Sequence, residues 1–171
     1  MRSVWSTTLL AAVMLCAGLP CSAQKKDYLS ELEADKIRDA ETATQRVKLY
    51  VAFAADRLKK IEYELERTNR DRLWVDRLNN LFNGYSGCLD DAADTLDAAI
   101  EKLEDIRPAI KEMDAKTKEF RAYLDKLAGH PDLPKFKDAL DDALEATQDA
   151  MKTVEKAAKA VPAAPVRRSP S

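Results

Sequence analysis

Residues 85–127 read YSGCLDDAADTLDAAIEKLEDIRPAIKEMDAKTKEFRAYLDKL, and one spacing runs through all of it. Tyr85, Leu89, Ala92, Leu96, Ala99, Leu103, Ile106, Ile110, Met113, Thr117, Phe120, Leu124 and Leu127 follow one another at alternating gaps of four and three; only Thr117 is polar. That pattern is the apolar seam of a helix that faces partner helices. It predicts one long helix over 85–128, with the rest of the chain as cover for its seam. Pro108 lies inside the stretch. The register holds from Ile106 to Ile110, so Pro108 reads as a kink facing water, which can satisfy the freed carbonyl of Glu104.

Upstream, Ser30-Glu31-Leu32-Glu33 fits a capping box and predicts a short helix over 31–40. Thr42-Ala43-Thr44-Gln45 fits a second box, so a break is expected near Glu41 and a new helix from Ala43. This second helix is expected to reach Asn83. Its seam is Val47, Val51, Ala54, Leu58, Ile61 and Leu65, widened by Tyr50 and Phe53 as in a bundle helix with two neighbours. A polar stretch, ERTNRDR at 66–72, interrupts the seam before Leu73, Trp74, Val75, Leu78, Leu81 and Phe82 resume it. Residues 83–87 (NGYSG) read as a turn, with two glycines and Ser86 as a cap. A second turn is expected at 129–134 (GHPDLP), and a last helix over 134–160. Short turns make consecutive helices antiparallel. The expected fold is all-α: an elongated antiparallel bundle of three long helices with a short N-terminal helix.

The chain has 171 residues, 34% charged and 46% hydrophobic, with four glycines. That length and mixture suit one helical domain with a real core. Residues 9–19 (LLAAVMLCAGL) are too short for a membrane anchor; Pro20 follows, and Ser22 and Ala23 are small. The segment 1–23 reads as a secretory signal peptide cleaved after Ala23, which leaves no stable membrane span. The domain layout is therefore a leader at 1–23, a helical-bundle domain at 24–160 and a disordered Pro-rich tail at 161–171. The expected location is periplasmic or secreted. The net charge is -2. Loss of Arg2 with the leader leaves 27 basic against 30 acidic residues, and nothing in that balance points to nucleic acid. Cleavage also removes Cys16 and Cys21, so Cys88 has no internal disulfide partner.

No motif with catalytic spacing is present, so no enzyme activity is expected, and no cofactor. There is one histidine, His130, in the second turn, which reads as a helix C-terminal cap. Asp90, Asp94, Asp97 and Glu101 form an acidic row that could draw a divalent cation. Charge matching with Arg70 and Arg77 of the preceding helix is the favoured reading of that row. Thr117 and Thr147 occupy seam positions where a ligand cavity is conceivable, although close packing is favoured. Cys88 reads as a small apolar filler, with an intermolecular disulfide as its functional alternative.

The functional reading is an exported, non-catalytic bundle that works through protein–protein contacts or as a structural module. The alternatives are a periplasmic holdase-type chaperone and a small-ligand carrier or sensor with a site between helices. The last helix is expected to be shorter than the two before it, leaving their hairpin tip uncovered. Trp74, Leu78, Leu81, Phe82, Tyr85 and Cys88 would then form an apolar contact surface there, for self-association or an unidentified protein partner.

Overall fold

The computed structural model describes residues 28–161. The expected leader, its cleavage at Ala23 and the tail beyond Val161 lie outside the described residues. Five α-helices pack together: α1 (Glu31–Asp39), α2 (Ala43–Glu66), α3 (Trp74–Glu101), α4 (Arg107–Leu127) and α5 (Lys137–Ala160), with one 3-10 turn at Leu133–Lys135 before α5. Among the described residues there is no strand, and no helix is long and apolar enough to cross a membrane.

Both capping boxes form. The Ser30 hydroxyl accepts the Glu33 N–H and Glu33 returns to the Ser30 N–H; Thr42 and Gln45 repeat the exchange at the start of α2. Each box satisfies donors that a helix start otherwise leaves without partners. The chain breaks between them, as the two boxes predict.

The long helices number four, not three, because each of the two longest predicted helices is divided. Residues 67–73, which hold most of the polar stretch, are a loop. Its closure supplies partners for the carbonyls at the end of α2. Arg70 donates to Leu65 O (2.6 Å) and Arg67 O (3.0 Å), and Trp74 Nε1 donates to Glu64 O (2.7 Å). The second division falls inside the 85–127 seam. Leu103 takes a left-handed φ of 56°. Leu103 N–H then bonds Ile100 O (3.1 Å) and Glu104 N–H bonds Ala99 O (3.0 Å). This is the pairing of a Schellman helix end, with leucine where glycine is usual. Pro108 is therefore no kink: it sits in the first turn of α4, where its missing N–H costs nothing.

The predicted turn at 83–87 lies in the middle of α3. Gly84 and Gly87 do not reverse the chain; they lower the helix surface so that other side chains can approach it. The tip surface expected from the sequence is consequently not formed. Trp74, Leu78, Phe82, Tyr85 and Cys88 are in the core, and Leu81 is half-buried. The chain turns back one segment earlier, which brings α5 alongside these residues. Phe82 stacks on Phe136 with centroids 5.8 Å apart.

At roughly 30–40 Å each, α2 to α5 make a four-cornered bundle. The faces of α2 rest on α3 and α4, and those of α5 rest on α3 and α4. Lys48 pairs with Glu112 (3.1 Å) and Thr44 donates to Asp105 O (3.1 Å), so α2 and α4 run parallel. Asp97 pairs with Lys156 (3.0 Å), which with the Phe82–Phe136 stack makes α3 and α5 parallel. The consecutive helices α3 and α4 are thus diagonal partners, meeting where the Tyr85 ring edge contacts Phe120. Fully buried Val47, Ile61, Leu89, Leu96, Ile106, Met113, Leu124 and Leu140 fill the centre. Each buried large apolar side chain contributes about 1.5–3 kcal/mol against exposure.

Candidate functional site: an open groove beside the N-terminal helix

Helices α2 and α3 form one side of the bundle, and α1 lies along this side against α2. The residues Tyr28–Glu33 seat it by two devices. The first is Arg57, which is buried although charged. Its guanidinium grips both oxygens of Glu33 at 2.7 Å each and also donates to Tyr28 O at 3.1 Å. The hydrogen bond from Arg57 outweighs burial and holds the Glu33 carboxyl at about 2, against an ordinary 4.5. The reciprocal bond raises Arg57 further.

The second device is the bare backbone of α3. A Cβ on Gly87 would lie 2.7 Å from the Tyr28 ring, and one on Gly84 3.4 Å from Arg57 Nε. At Gly87 the missing side chain makes room for the ring; at Gly84 the guanidinium lies at ordinary contact distance. From there the Tyr28 hydroxyl donates to Asp91. Burial, with the Asp94 charge close by, pushes the Asp91 carboxyl up to about 6.

Beyond Ser30 the strip between α2 and α3 is not covered by α1. An open groove of about 1020 Å³ results, with Tyr28, Leu29 and Glu33 at one end and Glu64 and Arg77 toward the other. Tyr63, one of the few large exposed apolar side chains at 64%, stands on its α2 wall, and Leu81 with Asn80 and Asn83 on its α3 wall. Several charges along it are already committed to one another. Glu64 is bound by Arg67 (3.1 Å) and Arg77 (3.3 Å), and Lys60 by Asp56 (2.6 Å). The groove therefore offers an aromatic face, an aliphatic side chain and amides rather than a reactive pair. A smaller cleft of about 210 Å³ lies further along α3, between Arg46, Asp91, Asp94 and Lys102.

Of the six contact residues expected from sequence, Leu81 alone lines the large groove. His130 is folded into its turn, where Nδ1 accepts the Asp132 N–H (3.1 Å). The acidic row does not meet the expected arginines: Arg70 pairs with Asp132, and Arg77 with Glu64 and Asp71. Asp97 is taken by Lys156, and no group of three or more potential metal ligands occurs among the described residues. Thr117 and Thr147 are fully buried, and their hydroxyls bond Met113 O (2.9 Å) and Ala143 O (2.6 Å). Tyr85 completes the position by bonding Thr147 at 2.7 Å. Sequence reasoning missed Tyr28, Arg57, the pairing of Glu33 with Arg57 and the role of Gly87. The available signal was Arg57 beside Leu58 on an apolar face, and two glycines three residues apart in a stretch of helical period. No protein-family model, curated protein or solved structure matches this chain.

Proposed function

We propose that this is an exported, non-catalytic helical-bundle protein that holds a segment of a protein partner in the groove between α1, α2 and α3. The observation that supports this reading is the groove's combination of size, openness and lining. Small-molecule sites enclose most of their ligand. A trough of about 1020 Å³ open along its length, walled by Tyr63 and Leu81 and edged with amides and paired charges, suits a polypeptide better. An exposed tyrosine next to an aliphatic side chain is the kind of anchor that protein interfaces use. On this reading the contact lies on the side of the bundle, instead of the tip. The large exposed apolar side chains among the described residues, Leu32, Tyr63, Leu73 and Leu103, are on separate elements, which favours a defined partner over general capture of unfolded chains. The reading of residues 1–23 as a leader supports an envelope or extracellular location.

The test is site-specific photo-cross-linking in the native envelope. A photoreactive side chain at Tyr63 is expected to give a discrete cross-linked partner that Leu81→Arg abolishes. The same probe at Glu119, on the exposed side of α4, should give none. Equal cross-linking from both positions, or a product unaffected by Leu81→Arg, would refute the groove as the contact.

A further inference from the structure

We infer that residues 28–39 are a releasable strap: α1 is latched over the α2–α3 side by polar contacts and detaches while α2 to α5 stay folded. Three observations carry this. First, α1 has no buried residue of its own. It is held by the Arg57–Glu33 fork, the Arg57–Tyr28 O bond, the Tyr28–Asp91 bond, the buried Leu29 next to them, and partly buried Ile37. Second, the bundle does not need it. α2 carries its own complete capping box at Thr42 and Gln45, so its first turn remains satisfied when α1 leaves. Arg57 keeps Asp56 at 3.2 Å as a charge partner. The link between the helices is extended at both Ala40 and Thr42, which suits it to act as a hinge. Third, the strap borders the open groove: its Tyr28, Leu29, Ser30 and Glu33 line one end, together with Arg57 that seats them. Release of the strap takes that wall away and opens the groove at this end. If the groove is the partner site proposed above, the strap sets how much of it a partner can reach; the release itself does not depend on that reading.

Gly87 provides the test, because its two roles predict opposite signs. In the middle of α3, alanine is a better helix former than glycine. At the strap, the added methyl collides with the Tyr28 ring. A nine-residue helix does not persist in water by itself. Exchange of the amides of residues 34–40 therefore reports docking directly. In wild type these amides should exchange at least tenfold faster than those in the middle of α2. Gly87→Ala should speed them at least tenfold more, with the thermal midpoint of the bundle unchanged or raised. Glu33→Gln, which leaves the bundle's own contacts intact, should also speed them with no fall in midpoint. The inference is overturned if residues 34–40 exchange together with α2 as one unit. It is equally overturned if neither variant changes their exchange, or if exchange rises only in step with a lowered midpoint. No partner is needed in these measurements, so their failure is distinct from failure of the cross-linking test.

Discussion

Trp74→Ala should be among the most damaging single substitutions in this protein, through the loop at 67–73 as much as through the core. Trp74 is only 3% exposed, and truncating a buried tryptophan costs about 3–5 kcal/mol in transfer and cavity terms. Its Nε1 also satisfies Glu64 O at 2.7 Å; a buried carbonyl that loses its donor costs about 1–3 kcal/mol, part of it contained in the truncation figure. The Arg70 guanidinium lies 4.1 Å from the ring centroid, worth about 0.5–2 kcal/mol. A total near 4–6 kcal/mol would consume much of the roughly 5–15 kcal/mol that a domain has. Trp74→Phe keeps most of the ring and removes the N–H, so about 1–3 kcal/mol is expected. Leu73→Ala, at an exposed neighbour, should stay within about 0.5 kcal/mol. Urea unfolding followed by far-UV circular dichroism measures all three. If Trp74→Ala is as mild as Leu73→Ala, the loop closure described above is wrong and the sequence reading of one continuous helix with a solvent-facing tip regains its standing.

Leu103→Gly should leave the fold intact and stabilise it by up to about 1 kcal/mol, since a left-handed leucine costs roughly 1–2 kcal/mol and glycine returns only part of that as chain entropy. Leu103 is 91% exposed and has little packing to lose; a lower urea midpoint would argue against the Schellman end. Tyr85→Phe removes one buried hydrogen bond while Thr147 keeps Ala143 O, so a loss of about 0.5–1.5 kcal/mol is expected in the same assay, with near-wild-type helix content. Acid should loosen the strap before the bundle. Glu33 titrates at about 2 in the fold against 4.5 ordinarily, so its contribution is complete above 4.5 and is lost as pH falls toward 2. Asp91 has the opposite sign. Its carboxyl is raised from 3.8 to about 6, so its contribution is present below 3.8 and is lost as pH rises through 6. Strap exchange, corrected for intrinsic rates, should rise below pH 4.5 in wild type and show no such rise in Glu33→Gln.

Helix type and helix facing were legible in the sequence because burial repeats at the helical period. Of the thirteen seam positions from Tyr85 to Leu127, Leu103 alone is exposed. Chain reversal was not legible from the same signal. The spacing across 99–110 happens to stay in phase through the α3–α4 corner, so periodicity cannot distinguish one helix from two. The local cues were Pro108, better placed in a first turn than mid-helix, and the seven polar residues of ERTNRDR, too many for one face of a packed helix. Gly84 and Gly87 misled for a different reason. Glycine is compatible with a turn and with close approach, and at Gly87 only the arrival of Tyr28 from a distant segment decides between them. The groove was beyond reach for the same reason: its walls come from three helices whose register depended on the missed loop.

The diagonal placement of α3 and α4 makes the bundle two helical hairpins, α2–α3 and α4–α5, joined by residues 102–106. What unites them is carried by residues far apart in the chain: Tyr85 with Thr147 and Arg70 with Asp132 are each separated by 62 positions. Local pairings form at small entropic cost and distant ones later, so each hairpin should close before the two dock. Within the link Ile106 is buried, but Leu103 is turned to solvent. Cut at Leu103, the chain should behave as a two-part complex whose halves recover the helical signal on mixing, with a midpoint that depends on concentration as an association equilibrium requires.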